Sequence, residues 1–193
     1  YGDGIFETYE YDPYGNKVAE TDRNGNTTTY AYDAYGMLIR KCSPEGLETC
    51  YAYDDNHQMT EEWDNTGAHK WYVYDSTGFL TEEKELLEEG SYATTTYTRD
   101  EYGRMLTVTD GLGHVTAYAY EENIHKPTEV TTPEGDVYRY AYDKAGRRTK
   151  IETDYGTKEI TYSETGAVSM ETDALGNRTR HQLDAVGNVL KTI

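Results

Sequence analysis

The sequence predicts an all-β fold of tandem hairpins, and three observations carry that reading. The motif Tyr-x-Tyr-Asp-x-x-Gly returns about every 21 residues. A second Asp-x-x-Gly signal falls between successive copies. The apolar surface comes mainly from 21 Tyr, against 2 Phe and 2 Trp, and rings that carry hydroxyls suit half-wetted sheet faces better than a dry core.

Registering the chain on the Asp of the motif gives Asp12, Asp33, Asp54, Asp75, Asp100, Glu121, Asp143, Ser163 and Asp184. The intervals are 21, 21, 21, 25, 21, 22, 20 and 21, hence about nine repeats. Three copies define the unit: Tyr30, Tyr32, Asp33 and Gly36; Tyr72, Tyr74, Asp75 and Gly78; Tyr140, Tyr142, Asp143 and Gly146. The second signal reads Thr21-Asp22-Arg23-Asn24-Gly25-Asn26, Thr109-Asp110-Gly111-Leu112-Gly113-His114 and Thr172-Asp173-Ala174-Leu175-Gly176-Asn177. Asp first and Gly fourth is what a type I turn followed by a left-handed residue requires. The segments between turns, such as 27–32 and 37–41, are β-branched and aromatic and have strand length.

Each repeat is therefore read as two antiparallel strands. Pro13, Pro44 and Pro133 fall in turns and Pro127 near a strand start. The 25-residue interval places an insertion at 82–91, Glu-rich, either a helical turn or simply longer strands. Centring the second hairpin on its Gly sets Thr21 opposite Thr29, Cys42 opposite Cys50 and Trp63 opposite Trp71, with Thr109–Ala117, Thr131–Arg139 and Thr172–Arg180 in the later repeats. On that register Cys42 and Cys50 either form a cross-hairpin disulfide, worth about 2.5 kcal/mol if unstrained, or pack as two reduced thiols. Trp63 and Trp71 form a cross-strand aromatic pair or a stacking surface for glycans.

The net charge of −18 argues against phosphate backbones and anionic membranes as partners and keeps an edge-rich β-protein soluble. No apolar run approaches the roughly 20 residues of a membrane span. His57, His69, His114, His125 and His181 lie in different repeats without metal-ligand spacing. Asp22–Asn26 lacks the 12-residue calcium-loop pattern. Adjacent acids such as Glu61 with Glu62, or Glu82 with Glu83, point to opposite faces of a strand. No catalytic, metal or cofactor residue is therefore assigned, and the chain is expected not to be an enzyme. The pattern is already running at Tyr1 and still running at Ile193, so 1–193 is read as a single array cut at both ends from a longer one.

The two half-motifs in this order, as in residues 9–36 and 97–118, resemble the YD repeats of the Rhs family, which comprises bacterial Rhs and wall-associated proteins and the Tc toxin C component, with animal teneurins continuing the array. The resemblance implies a curved, spiralling antiparallel sheet, an open segment of a hollow YD shell. Roughly 18 strands would make a strip about 85 Å long and 20 Å wide, which strand twist must curl. In bacterial members the shell encloses a variable C-terminal toxin domain; in teneurins it serves adhesion. The resemblance thus implies a secreted or cell-surface bacterial protein whose partners are the rest of its own shell and an enclosed C-terminal domain. The family's self-cleaving Asp-Pro-x-Gly-Leu element is matched only in part by Asp12-Pro13-Tyr14-Gly15-Asn16, so no cleavage residue carries over. Two further expectations stand beside these: a surface module binding cell-wall or host glycans through Trp63 and Trp71, and self-association through unpaired terminal strands.

Overall fold

The computed structural model describes residues 6–193, apart from the side chain of Glu89; the first residues of the array, 1–5, lie outside the described residues. Two compact units are distinguished, Tyr1–Tyr97 with Asp110–Leu112, and Thr98–Thr109 with Gly113–Ile193. The strands are β1 (Thr8–Tyr11), β2 (Lys17–Thr21), β3 (Thr27–Tyr32), β4 (Leu38–Cys42), β5 (Glu48–Tyr53), β6 (Met59–Asp64), β7 (His69–Tyr74), β8 (Leu80–Leu86) and β9 (Tyr92–Arg99), then β10 (Met105–Thr109), β11 (Val115–Ala119), β12 (Glu129–Thr131), β13 (Val137–Tyr142), β14 (Arg148–Thr153), β15 (Gly156–Tyr162), β16 (Val168–Thr172), β17 (Arg178–Leu183) and β18 (Val189–Thr192). From β1 to β9, and again from β10 to β18, each strand pairs antiparallel with its predecessor in the chain. The sheets are open, as the tandem hairpins predict.

The turns explain the Asp and Gly of the motif. The Asp22 N–H donates to the Asn26 carbonyl (2.9 Å) and the Gly25 N–H to the Asp22 carbonyl (3.0 Å). Asp22 Oδ1 accepts the N–H groups of Asn24 (2.8 Å) and Asn26 (2.9 Å). The carboxylate thus replaces solvent for two turn donors. Gly25 has φ +85°, a conformation that Cβ disfavours. The same bonds recur around Asp12, Asp33, Asp54, Asp75, Asp143 and Asp184. A refinement invisible in the four-residue motif lies at the fifth position, where Asn16, Asn26, Asn177 and Asn188 donate their side-chain amide to the second Asp oxygen. Arg104 and Arg147 do so with Nε, each at 2.7 Å.

This geometry corrects the hairpin register. Thr21 faces Thr27, Cys42 faces Glu48 and Trp63 faces His69, while Thr29, Cys50 and Trp71 face Ala19, Arg40 and Glu61. Likewise Thr109 faces Val115, Thr131 Val137 and Thr172 Arg178. The loop is closed between the Asp and the residue after Gly, so its centre is the residue before Gly, not Gly itself. Every partner therefore shifts by two, and the like pairs become diagonal neighbours on one face.

Departures from the 21-residue period have local causes. At 82–91, β8 and β9 lengthen to seven and eight residues and are joined through a 3-10 turn, Glu88–Gly90. In the 20-residue interval, Thr153 pairs directly with Gly156, leaving a two-residue loop in place of the five-residue one. No described residue reaches full burial. Each strand is supported by its neighbours in the ladder and by the side chains on its two faces, as expected of stacked repeats.

Candidate functional site

Two surfaces carry the distinctive side chains. The first is the tyrosine face. In five repeats the second Tyr of the motif donates its hydroxyl to a backbone carbonyl at the start of the preceding strand: Tyr32 to Lys17 (2.9 Å), Tyr53 to Leu38 (2.7 Å), Tyr74 to Met59 (2.8 Å), Tyr142 to Pro127 (2.9 Å) and Tyr162 to Arg148 (2.8 Å). The first Tyr reaches an acid of the preceding strand: Tyr30 to Glu20 (2.6 Å), Tyr72 to Glu62 (3.5 Å) and, across the insertion, Tyr97 to Glu83 (3.3 Å). In the repeats that make them, these bonds tie the tyrosine strand to the strand before it.

Electrostatics on this face follow from the pairing of phenols with carboxylates. Burial, then the charges of Glu62 and Glu83, push Tyr72 up to about 12. Burial and the Glu20 bond raise Tyr30. Glu20 is lowered, first by its bond from Lys17 and then by Tyr30, and the same Lys17 ammonium lies 5.0 Å from the Tyr30 ring centroid. In the second unit Arg148 stands over Tyr140 (4.4 Å) and Arg147 over Tyr162 (4.6 Å). An open depression of about 700 Å³ lies between Tyr14, Tyr30, Tyr32 and Tyr35.

The second surface is an aromatic row in the first unit. Trp63 and Trp71 do not face one another; His69 stands between them. Its ring stacks on Trp71 (3.7 Å between centroids, 22° between planes) and lies 5.8 Å from Trp63. Trp71 meets Tyr92 edge-on at 5.7 Å, and Lys84 Nζ sits 4.0 Å above Tyr92. His69 Nε2 and Glu61 Oε2 are 2.9 Å apart, which holds the imidazole in the stack. Sequence reasoning missed His69, Lys84 and Tyr92; the signal for His69 was its slot two residues after Gly67, the slot that faces Trp63 once the hairpin is correctly centred.

Cys42 and Cys50 are separate half-buried thiols, placed diagonally by the register. Cys50 faces Arg40 on one side and Trp63 on the other, and burial followed by the Glu48 charge raises its thiol. Among the described residues no three His, Cys, Asp or Glu side chains converge as a metal site, and no helix is long and apolar enough to cross a membrane.

Comparison with known proteins adds to this geometry. Residues 11–48 and 125–158 match the RHS Repeat family. The crystal structure of TcdB2-TccC3-Cdc42 is similar at a TM-score of 0.80 and 15% identity, over 96% of this chain and 12% of that one. The Photorhabdus luminescens Tc holotoxin pore carrying a TccC3 mutation gives 0.60 and 16%, over 97% and 12%. TcdB2-TccC3 without its hypervariable C-terminal region gives 0.62 and 15%, over 96% and 12%. At these identities the likeness is one of fold, and this chain spans about an eighth of the length of each. No curated protein matches it. The repeat motifs and the family match over residues 11–48 and 125–158 make this chain similar in sequence to RHS Repeat proteins, and the hairpin ladder gives it the fold of the TcdB2-TccC3 structures.

Proposed function

We propose that this chain is a non-catalytic wall segment of a secreted or cell-surface bacterial Rhs/YD-repeat protein, part of a shell around a C-terminal toxin or other cargo domain. The observation that carries the reading is the tyrosine face: phenol hydroxyls fixed to backbone carbonyls and acids, repeated in both units with no dry core behind them. Such a surface can line a wet compartment and touch a polypeptide at many points without offering one tight apolar site. Similar structures supply the context, since they include a Tc holotoxin pore and a TcdB2-TccC3 form lacking a hypervariable C-terminal region. The acids of this face are engaged by Lys and Tyr, which suits a structural role better than proton transfer.

The test is limited proteolysis of the longer polypeptide that carries these repeats together with its C-terminal domain. The reading expects that domain to resist cleavage until denaturant opens the repeats. Cleavage at the rate of the isolated C-terminal domain would overturn it. Small-angle scattering of the present chain, expected to give a curved strip with a hollow, is the supporting measurement.

The aromatic row favours a second reading, a glycan-binding surface, because Trp63 remains 36% exposed beside the His69–Trp71 stack. A saturable change in Trp emission with cell-wall oligosaccharides, lost in Trp63→Ala and Trp71→Ala, would support it; no saturable response would leave the row as packing.

A further inference from the structure

We infer that the motif-turn side of the first unit holds a two-slot groove for a cationic, proline-rich segment in the polyproline II conformation. A proline occupies the first slot, and an arginine or lysine three residues away occupies the second. The inference does not rest on the wall reading, since the groove is built by three successive hairpins, β1 to β6, whatever the array encloses. The turns at Asp12, Asp33 and Asp54 close those hairpins on one side of the sheet, and the second turns close the opposite side. The first slot is the open depression between Tyr14, Tyr30, Tyr32 and Tyr35. The second, about 240 Å³, lies between Tyr35, Tyr51, Tyr53 and His57. Tyr35 lines both and leans on His57, with 5.0 Å between centroids and 54° between planes, so one braced ring divides the groove. Tyr32 and Tyr53 are fixed beneath by their hydroxyl bonds to the Lys17 and Leu38 carbonyls. The turn rings above stand in water, Tyr14 91% and Tyr35 77% exposed.

The slots differ in charge because of the fifth turn position. At Asp12 the Asn16 amide takes the second carboxylate oxygen (2.9 Å). At Asp33 that position is Met37, which has no side-chain donor, and at Asp54 it is Gln58, whose amide turns instead to the Gly78 carbonyl (2.8 Å). Both Asp33 and Asp54 therefore spend one oxygen on turn N–H groups and leave the other without a donor among the described residues. Asp55, exposed in the same turn, joins them in lining the second slot. No Lys or Arg lines either slot, and Lys17, which stands over the Tyr30 ring, is paired with Glu20. The equivalent rings of the second unit carry a cation of their own, as Arg104 does over Tyr102 (5.2 Å) and Tyr120 (4.6 Å). An aromatic slot beside an acid-lined one fits a proline beside a basic side chain, whose head can lie against Tyr35 or His57 while its N–H groups reach the carboxylates.

Spacing selects the backbone of the ligand. Successive motif turns are two strands apart, roughly 9–10 Å, and a polyproline II helix advances about 9.3 Å in three residues. Residues three apart in such a segment therefore reach successive slots. Its backbone has no internal hydrogen bonds to break and little conformational entropy left to lose, which is why aromatic-lined grooves select it. The whole-chain charge of −18 draws a cationic segment in from a distance, and the acids of the second slot set its register.

Fluorescence anisotropy with the full chain tests this, using a dye-labelled peptide Arg-Pro-Pro-Pro-Pro-Pro-Arg, whose central Pro is three residues from an Arg in either chain direction. Binding should saturate and should weaken as salt screens the acids. Tyr35→Ala should weaken it about tenfold, the loss of an aromatic anchor, and Asp55→Asn about threefold, the scale of an exposed ion pair. Tyr155→Ala, at an exposed turn tyrosine of the second unit, should bind as the unmodified chain does. Far-UV circular dichroism should be the same for all; were Tyr35→Ala to disturb the fold, Tyr14→Ala carries the same expectation. The peptide Arg-Gly-Ser-Gly-Ser-Gly-Arg has the same charge on a flexible backbone and should bind at least about tenfold more weakly, for want of preorganisation. No saturable binding, equal binding of the two peptides, or a Tyr35→Ala chain that binds like Tyr155→Ala would overturn the inference.

Discussion

Removing the tyrosine hydroxyls one at a time tests whether they hold the ladder together. Tyr53→Phe keeps the ring and deletes one bond of 2.7 Å to the Leu38 carbonyl. An intramolecular hydrogen bond contributes about 1 kcal/mol net, and half-wetted sites such as these should fall near 0.5–1 kcal/mol. With a urea dependence of about 2 kcal/mol per molar, the midpoint drops by roughly 0.25–0.5 M. Tyr32→Phe and Tyr74→Phe delete the equivalent bonds in neighbouring repeats. Their sites are two strands apart, roughly 9–10 Å, so the three losses should add to about 1.5–3 kcal/mol in the triple variant. Tyr11→Phe is the internal control, because that hydroxyl is exposed and donates to no described residue. Trp63 and Trp71 report unfolding of the same unit by fluorescence. If Tyr11→Phe lowers the midpoint as much as Tyr53→Phe, or the triple variant matches the unmodified chain, the hydroxyl ties are not what joins the repeats.

Four further outcomes follow from the same geometry. His57 takes the slot of a turn glycine with φ +64°; His57→Gly should relieve about 1 kcal/mol of left-handed strain, raising Tm by about 2–4 °C, and an unchanged or lower Tm would argue that its tilted contact with Tyr35 at 5.0 Å outweighs the strain. The carboxyls of Asp12, Asp22, Asp64, Asp75, Asp173 and Asp184 are held below the usual 3.8, led by the side-chain bonds from Asn16, Asn26, Thr66, Thr77, Asn177 and Asn188. Depressed acids give stability that is present above their unfolded value and lost as pH falls through the folded ones, so urea midpoints should be flat near neutrality and fall below pH 3.8; midpoints unchanged to the acid end would contradict the turn chemistry. Tyr72, at about 12, should be the last phenol to ionise in a near-UV titration, and Tyr72→Phe should remove that step. A raised folded value means its contribution is intact below the unfolded value of 10.0 and disappears as pH climbs toward 12. Finally, thiol titration under non-oxidising conditions should find two free groups, with Cys50 slow because burial and Glu48 disfavour its thiolate; Cys50→Ser should abolish the slow phase, and a persisting slow phase would assign it to Cys42.

Much of the fold was legible because turn chemistry is written in residue types. Asp first and Gly fourth located the loops, and β-branched and aromatic runs located the strands. The register was not, because a glycine can be seen in sequence while the centre of a bulged turn cannot: Asn24, Glu45 and Thr66, the true centres, carry no distinguishing chemistry. That single-residue offset hid the His69–Trp71 stack. The 82–91 insertion was located by its broken period, but whether its extra residues lengthen strands or form a turn depends on backbone choices a Glu-rich run does not fix. The structure does both. The hydroxyl ties were latent in the spacing, since the second Tyr follows its carbonyl partner by 15 residues in four of the five repeats, but only strand pairing shows that this distance crosses one hairpin.

That 15-residue reach has a consequence for how the chain can be made. In the pairings described, strand partners are at most 15 residues apart, as in Lys70 with Glu85 and Thr49 with Asp64, so the sheet lacks the long-range closures that slow most all-β folding. A hairpin can zip and receive its tyrosine tie as soon as the next strand emerges from the ribosome, about every one to four seconds at ordinary synthesis rates. No downstream strand is needed for an upstream hairpin to pair, which makes this an architecture that can be laid down vectorially, one repeat at a time, as the chain is synthesised.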